Sequence, residues 1–356
     1  MIPISKPFIG EEEKQLVMEV LNSGMLAQGP RVAELEQKFA HVCGTKHAIA
    51  TTSGTTALHT AMLAHGIGDG DEVITSSFTF IASVNSILFT GAKPVFADID
   101  PKTFNIVPEL IEKAITPRTK AILPVHLYGH VADMESILAI AEKHNLAVIE
   151  DACQAVGATF KDKKAGSFGT GCFSLYATKN VMSGEGGIIT TDDDHIAEQC
   201  KLIRSHGMKI RYHHEMLGYN YRMSDLHAAI GIAQLNRLDA FTAARKKNAE
   251  YLNSHIHGVI TPSVAPDFGH VWHQYTIQLP EGMDRDTAVK KLGDAGVGTG
   301  VFYPIPAHQQ KYIQDSLGTV SLPVTEDLAK RVISLPVHPQ LSQEDLDTIV
   351  KAVNSL

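Results

Sequence analysis

The sequence predicts an α/β protein with a large domain built on a mostly parallel sheet and a smaller C-terminal α+β domain. Short apolar runs alternate with helical patterns up to about residue 240, and that alternation is typical of a parallel sheet covered by helices on both faces. Beyond this point the mix of elements changes. The length of 356 residues suits one large domain and one smaller domain.

The elements of the large domain follow from the spacing of apolar residues. Helical spacing covers Arg31–Gly44, with Gly44 as the C-cap, then Ala57–Ala64 and Met134–His144. Seven apolar runs between the helical patterns have the length of strands. They are His47–Thr51, Glu72–Thr75, Lys93–Ala97, Ala121–Val125, Leu146–Glu150, Cys172–Tyr176 and Gly187–Thr190.

The domain division is predicted inside a helix-rich stretch at Leu235–Tyr251, with residues 1–240 in the large domain and residues 241–356 in the small one. The extreme N-terminus is expected to pack with the small domain. The small domain should contain a strand, a helix and a terminal helix capped by Ser342, at Gln274–Leu279, Arg285–Ala295 and Ser342–Val353.

Composition excludes several classes of protein. The net charge of −8 argues against a nucleic-acid partner, because phosphate backbones require concentrated positive charge. The uncharged run at residues 73–92 contains many Ser and Thr and is expected to be a strand end, a buried loop and a helix, not a membrane span. The N-terminus has no secretory pattern, so the expected location is the cytoplasm. The four cysteines form no C-x-x-C pair and are expected to be core thiols.

Common catalytic motifs are also missing. The chain has no G-x-G-x-x-G turn, P-loop, H-E-x-x-H helix or G-x-S-x-G elbow. The adjacent His213 and His214 are expected to lie on a surface or loop, because neighbouring side chains rarely converge on one ion. No metal site is predicted.

Three segments carry residues that suit a phosphorylated ligand. Ser53-Gly54-Thr55 opens a helix, where free N–H groups and the helix dipole favour an anion, although such turns also cap ordinary helices. Asp151 follows an apolar strand, at the edge where α/β folds bind ligands, or it caps a following helix. Gln154 can reach the same ligand if the chain turns helically.

The third segment delivers Lys179 into a loop before the glycines of residues 184–187, and Ser174 precedes it by five residues. A desolvated lysine has a lowered pKa and can act as a nucleophile, whereas an exposed loop lysine would be the ordinary alternative. Together the three segments supply a phosphate anchor, a carboxylate and an amine. Those are the requirements of pyridoxal 5′-phosphate: the carboxylate keeps the pyridine ring protonated and the amine forms the covalent bond.

With these motifs the sequence resembles the DegT/DnrJ/StrS sugar aminotransferases, within the fold-type-I pyridoxal-phosphate enzymes. The resemblance covers nearly the whole chain and rests on several motifs in a fixed order. They are Ile4–Pro7, Gly29-Pro30, the Ser-Gly-Thr turn, Gly70–Val73, Glu150-Asp151, the Lys179 loop, Gly218–Met223, Tyr303-Pro304 with His308, and Leu335-Pro336.

The resemblance implies a role for each site residue. Lys179 binds the cofactor covalently, Asp151 pairs with the pyridine nitrogen, and Gln154 lies near the ring's 3-oxygen. Phe80 is expected to stack on the ring, although the residues alone favour a core position. The remaining contacts are the phosphate donors Gly54, Thr55 and Ser174, a phosphate contact from the neighbouring subunit's Asn220, and substrate contacts from Arg222, Tyr303 and His308.

The resemblance further implies a homodimer with shared active sites, to whose interface the helix expected at Ser224–Leu238 would be suited, unless it is plain core. An amino acid, glutamate in most of the family, would donate its amino group and leave pyridoxamine 5′-phosphate. A keto-sugar, expected to be a 3- or 4-keto-hexose on a nucleotide, would accept it, and Gln154 favours C3. Alternatives are a cyclitol aminotransferase, a sugar dehydratase or lyase, which Lys179 in place of histidine disfavours, and a non-catalytic regulatory relative.

Overall fold

The computed structural model describes residues 1–356. Its helices, numbered α1 to α13 in chain order, are Glu11–Ser23, Pro30–Cys43, Gly54–Ala64, Ile81–Leu88, Pro108–Ala114, Met134–His144, Asp194–Arg204, Asp225–Leu235, Leu238–His255, Arg285–Asp294, Lys311–Leu317, Pro323–Arg331 and Gln343–Asn354. Its strands, β1 to β14, are His47–Thr51, Glu72–Ser76, Lys93–Ala97, Thr119–Leu123, Ala147–Asp151, Thr159–Phe160, Lys163–Lys164, Thr170–Ser174, Gly187–Thr191, Met208–Ile210, His213–His214, Phe268–Gly269, Tyr275–Gln278 and Val332–Leu335. Single 3-10 turns lie at Leu127–Gly129 and Ala307–Gln309.

A seven-stranded sheet forms the centre of the molecule, in the order β1-β9-β8-β5-β4-β2-β3. Strand β9 is antiparallel to both of its neighbours, and the other four strand pairs are parallel. The mixed α/β fold class predicted from the sequence is therefore confirmed.

Both faces of this sheet are largely buried, which is why its strands carry apolar residues on both sides. Side chains alternate between the faces along each strand. In β5, Val148 belongs to an apolar cluster that includes residues of α2, α6 and α8, whereas Ile149 belongs to a second cluster with residues of α3 and α7. The sheet is consequently sandwiched between two helical layers, and only its edges and strand ends reach solvent or a ligand.

The helix expected at Ser224–Leu238 is interrupted. Helix α8 ends at Leu235 and α9 begins at Leu238. The break directs the side chains of Asn236 and Arg237 to the carboxylate of Glu12, at the start of α1. The sequence pattern did not indicate this interruption, because the segments on both sides of it are helical and the apolar pattern is continuous across them.

The C-terminal half of α9 and the residues after it build a third apolar cluster around the β13–β14 pair. The predicted boundary between residues 240 and 241 lies within α9, so one helix crosses it, and the domain division stays a prediction. At the other end of the chain, the Ile2 N–H donates to the Gly296 carbonyl at 2.7 Å, and the Gly298 N–H donates to the Ile2 carbonyl at 2.8 Å. None of the helices combines the length and the apolar character that crossing a bilayer requires.

A buried carboxylate anchors the end of β5. Glu150 is completely buried and accepts backbone hydrogen bonds from Gly166 at 2.7 Å, Phe168 at 2.8 Å and Gly169 at 2.9 Å. The equally buried His126 contacts the same carboxylate through Nε2, at 3.0 Å. Since each of these partners donates a hydrogen bond to the carboxylate, Glu150 holds the turn before β8 against β5, the strand that ends at Asp151.

We predict that Glu150→Gln destabilises the fold by about 2–3 kcal/mol, because an amide offers one acceptor oxygen and turns its NH₂ group toward buried donors. Urea unfolding followed by circular dichroism measures the loss. Glu198→Gln is the matched control, because Glu198 is exposed and bonds only to Lys209; its unfolding midpoint should stay at the wild-type value. A Glu150→Gln midpoint equal to that of the control would contradict the anchor.

Candidate active site

A cavity of about 520 Å³ opens at the carboxyl ends of the central parallel strands. Residues that follow β1, β2, β5 and β8 form most of its walls, and residues 273–274 and 302–303 close it from the C-terminal part of the chain. Binding sites of α/β sheets occupy this edge, because successive strands deliver their following loops there.

One end of the cavity is suited to a phosphate. Helix α3 begins at Gly54, and neither the Gly54 nor the Thr55 N–H has an acceptor within the protein. Ser53 caps the helix with its Oγ, which accepts from the Thr56 N–H at 3.2 Å. The capping and the anion-binding interpretations of this turn therefore hold together, since the cap occupies one N–H and leaves two free.

The approach to these N–H groups is kept open by Gly54. A Cβ atom at this position would lie 2.8 Å from the Cys153 sulfur and 2.8 Å from the Ser174 Cβ, too close for any side chain. Ser174 is the last residue of β8 and brings its hydroxyl to the same end of the cavity. Backbone donors and a hydroxyl thus surround a space of the kind that tetrahedral anions occupy.

Asp151 lies on the cavity wall as a buried, doubly hydrogen-bonded carboxylate. Its Oδ2 accepts from the Ser83 hydroxyl at 2.6 Å, and its Oδ1 accepts from the Cys153 N–H at 3.2 Å. The element that follows β5 is the strand β6, so Asp151 does not cap a helix. Ser83 was not foreseen from the sequence, because it lies on α4 inside an uncharged run with no local motif.

Lys179 is half-buried on the same wall, and its Nζ has no hydrogen-bond or ion-pair partner in the chain. Burial lowers the pKa of Lys179 below its ordinary value, while Cys153 and Asp151 partly oppose this shift. Desolvation exceeds the attraction of the nearby carboxylate, so the neutral amine is more populated than in a solvent-exposed lysine. A neutral amine beside a carboxylate is competent to attack an aldehyde.

Gln154 and Tyr303 form one polar group above Asp151. The Gln154 Oε1 accepts from the Tyr128 N–H at 2.7 Å, and its Nε2 donates to the Tyr303 hydroxyl at 3.2 Å. Phe80 also lines the cavity, with its ring centroid 6.0 Å from that of Tyr303. Phe80 is 55% exposed, so it is not a core residue and its ring is available to a ligand.

The other predicted site residues do not reach this cavity within one chain. Asn220 and Arg222 are exposed elsewhere, and the Arg222 Nε donates to the Asn220 Oδ1 at 3.2 Å. His308 is 2% exposed, and its two ring nitrogens contact the Ser77 hydroxyl and the Glu326 carboxylate. His308 therefore joins structural elements behind the cavity, although the sequence analysis expected it at the substrate.

The cysteines and the histidine pair lie apart from one another, with His213 and His214 exposed on β11. All four cysteines are free, and no group of three or more His, Cys, Asp and Glu side chains could hold a metal ion. Cys153 lies on the cavity wall, and burial raises its pKa well above the ordinary value, so its thiol stays protonated.

The cavity fits pyridoxal phosphate in each respect that the group requires. Two free N–H donors and Ser174 match the phosphate, the buried Asp151 carboxylate matches a protonated ring nitrogen, and Lys179 supplies an amine with a lowered pKa. Phe80 and the open space beside it match a flat ring.

Comparisons with known proteins give independent evidence. The sequence model of the DegT/DnrJ/EryC1/StrS aminotransferase family matches residues 7–354. Three curated relatives match along almost their whole length. They are the spore coat polysaccharide biosynthesis protein SpsC of Bacillus subtilis (44% identical, 100% of this chain and 97% of that protein), the GDP-perosamine synthase of Caulobacter vibrioides (42%, 100% and 98%) and a pleiotropic regulatory protein of Geobacillus stearothermophilus (43%, 99% and 97%).

Solved structures are equally similar. The DesV protein of S. venezuelae superimposes with a TM-score of 0.93 at 37% identity, over 97% of this chain and 94% of that chain. The NtdA protein of Bacillus subtilis, solved with the cofactor PMP (pyridoxamine phosphate), gives a TM-score of 0.90 at 35% identity, over 96% and 80% of the two chains.

We predict that Lys179 of the cofactor-free chain titrates at a lower pH than Lys161, whose pKa is raised by a hydrogen bond to Glu135. Competitive labelling with acetic anhydride across a pH series, read by peptide mass spectrometry, measures both lysines in one sample. In Asp151→Asn the midpoint of Lys179 should fall further, because the lost negative charge favoured the protonated amine. A midpoint that rises in this variant would show that Asp151 does not act on Lys179.

Proposed function

The chain belongs to the DegT/DnrJ/EryC1/StrS aminotransferase family, and from this membership we propose that it moves an amino group from glutamate to a ketone on a nucleotide-linked hexose. The family resemblance predicted from the motifs is thereby confirmed. The protein is a pyridoxal-phosphate-dependent aminotransferase, because the family and its solved members use this cofactor. The amino donor and the sugar are the proposed part.

The observation that carries the proposal is the meeting of three groups in one cavity. The free N–H groups at the start of α3, the buried Asp151 carboxylate and the unpartnered Lys179 amine come from segments far apart in the chain. Each alone has an ordinary structural explanation. Only a cofactor with a phosphate, a basic ring nitrogen and an aldehyde uses all three.

Each residue has a chemical task that follows from its surroundings. The bound cofactor supplies an aldehyde and an electron-withdrawing ring. Gly54, Thr55 and Ser174 hold its phosphate, and Asp151 keeps the ring nitrogen protonated, because Ser83 and the Cys153 N–H hold its carboxylate in place. Lys179 binds covalently in the resting enzyme.

With the cofactor bound, the freed Nζ of Lys179 would act as the base and acid of the reaction. It removes the proton from the carbon that bears the amino group, and in the second half-reaction it returns a proton to the former keto carbon. The lowered pKa of Lys179 suits this exchange, because burial makes the neutral amine more available as a base than that of an exposed lysine. Glutamate leaves as 2-oxoglutarate, whose keto oxygen comes from one water molecule, and the oxygen of the acceptor ketone leaves as another.

Names of relatives support a sugar as the acceptor. One relative is a GDP-perosamine synthase and another belongs to spore coat polysaccharide biosynthesis. We propose a 3- or 4-keto-hexose on a nucleotide, with C3 favoured by Gln154, whose amide is fixed between Tyr128 and Tyr303. We place the reaction in amino-sugar biosynthesis in the cytoplasm.

We also propose a homodimer in which each active site is completed by Asn220 and Arg222 of the neighbouring subunit. Both residues are exposed and lie outside their own cavity. Tyr212 and Leu217, in the same segment, are 73% and 79% exposed. Apolar side chains this exposed are typical of a surface that a partner covers.

A regulatory protein is the second candidate, because one relative carries that name at 43% identity. It would bind the cofactor and perform no transfer. The unpartnered Lys179 and the intact hydrogen bonds of Asp151 favour catalysis, since a sensor needs neither. A cyclitol aminotransferase differs from the first proposal only in the acceptor, whereas a sugar dehydratase would remove a hydroxyl group and transfer no amino group.

An acceptor panel tests the proposal. We expect glutamate to replace the visible band of the lysine-bound cofactor with that of pyridoxamine phosphate, and a 3- or 4-keto nucleotide hexose to restore it with formation of an amino-sugar. Lys179→Ala should do neither, whereas Lys311→Ala, on an exposed helix, should match the wild type. Three results would refute the sugar assignment. They are turnover with cyclitol ketones alone, loss of a hydroxyl group from the sugar in place of amination, and no turnover with any ketone.

Mixed dimers test the shared site. Asn220→Ala should weaken cofactor retention about tenfold, the effect of losing one hydrogen bond to a charged group. A dimer of one Lys179→Ala chain and one Asn220→Ala chain contains a fully wild-type site if Asn220 acts across the interface. Such a dimer should recover half of the wild-type activity per dimer. No recovery would mean that Asn220 acts within its own chain, whereas an Asn220→Ala homodimer with wild-type activity would mean that Asn220 does not act at all.

A further inference from the structure

A histidine that the sequence analysis did not single out lies beside Lys179. His273 is on the cavity wall, in the segment that leads into β13. Its backbone is fixed on both sides, because the Val271 N–H donates to the Gly129 carbonyl at 3.1 Å and the Gln274 N–H donates to the Tyr128 carbonyl at 3.2 Å. Gly129 has a φ of +99°, and a Cβ atom at this position would lie 3.1 Å from the backbone nitrogen of His273. The segment thus has one position relative to the cavity.

The imidazole ring of His273 is fixed by the residue next to Lys179. The Asn180 Nδ2 donates to the Val271 carbonyl at 2.8 Å, which leaves its Oδ1 toward His273 Nδ1, at 3.3 Å. An amide oxygen only accepts, so Nδ1 carries the proton. The other nitrogen, Nε2, is then a hydrogen-bond acceptor in the neutral ring.

Nε2 has no partner within the protein, although the residue is only 7% exposed. Burial lowers the pKa of His273 well below its ordinary value, and the nearby cations Lys179 and Arg245 lower it further, together with His270. The ring is therefore neutral at physiological pH. Because Nδ1 is held by Asn180 and His273 lines the cavity, Nε2 is the ring nitrogen left for a ligand there, with a lone pair and no positive charge.

A lone pair needs a donor, and the two substrates differ in what they offer. The carboxylates of glutamate are acceptors only and cannot pair with Nε2. A sugar carries hydroxyl groups, which donate. We propose that Nε2 of His273 accepts a hydrogen bond from a hydroxyl group of the keto-sugar next to the reacting carbon, which makes His273 a specificity-determining residue for the acceptor. This inference rests on the proposed function and names one contact within it.

A comparison of two ketone substrates in the wild type and in a His273 variant tests the contact. The holoenzyme is converted with glutamate, and the second half-reaction is followed with a keto nucleotide hexose and with its analogue that lacks the hydroxyl beside the ketone. In the wild type the analogue should react about tenfold more slowly in kcat/KM, because the acceptor is left unpaired. In His273→Phe, which keeps a flat ring and removes the acceptor, the two ketones should react at equal rates.

Two variants serve as controls. His273→Gln retains an acceptor oxygen and should restore part of the preference for the hydroxyl. His270→Phe alters a neighbouring half-buried histidine that stacks on Trp272 and does not line the cavity, so the wild-type preference should persist. The first half-reaction, with glutamate, should have the wild-type rate in all three variants.

Nitrogen NMR of histidine-labelled protein gives a readout independent of activity. The signal that His273→Phe removes should be an unprotonated Nε2 in the holoenzyme, and the amino-sugar product should shift it. Three results would overturn the assignment. One is a protonated Nε2, and another is an equal loss of rate with both ketones in His273→Phe. The third is a slowed glutamate half-reaction in that variant, because Lys179 would then be the donor to Nε2. A wild type that aminates no ketone overturns the proposed function and this contact together, whereas a wild type that aminates both at the same rate overturns the contact alone.

Discussion

The alternation of side chains at the end of β5 is the constraint on which the site depends. Glu150 and Asp151 are neighbours, so the pleat sends them to opposite sides of the sheet. Glu150 enters the core and binds three N–H groups of the turn before β8. Asp151 consequently faces the cavity, which Ser174 and the loop that carries Lys179 also line. One carboxylate fixes the scaffold, and the next performs chemistry.

Lys179 illustrates how two opposing effects set reactivity. The Asp151 carboxylate alone would hold the lysine protonated, but burial acts in the other direction and is the stronger effect. The cavity therefore combines a carboxylate that stays available for the cofactor ring with an amine that is not permanently consumed by an ion pair. If Asp151 were not already engaged by Ser83 and the Cys153 N–H, it would be free to pair with Lys179.

Much of the fold could be predicted from the sequence, because local spacing determines it. The bounds of β1, β3 and α6 agree to the residue, and Gly44 ends α2 in the left-handed conformation expected of a C-cap. Strand β8 ends at Ser174, two residues earlier than predicted, because its ladder with β9 stops at the Ser174–Gly187 pair. Contacts between distant segments were beyond local spacing. Ser83 is separated from Asp151 by 68 residues, and nothing near His273 in the sequence indicates that it borders Lys179.

The open start of α3 has a consequence for handling the enzyme. The anion-binding site there consists largely of peptide N–H groups. Such groups recognise the charge and the tetrahedral shape of a phosphate and do not distinguish what is attached to it. Inorganic phosphate or sulfate in a storage buffer competes for the same donors. Reconstitution of the cofactor-free protein with its cofactor will therefore slow as the concentration of such salts rises. In chloride buffers of equal ionic strength reconstitution will be faster than in phosphate or sulfate.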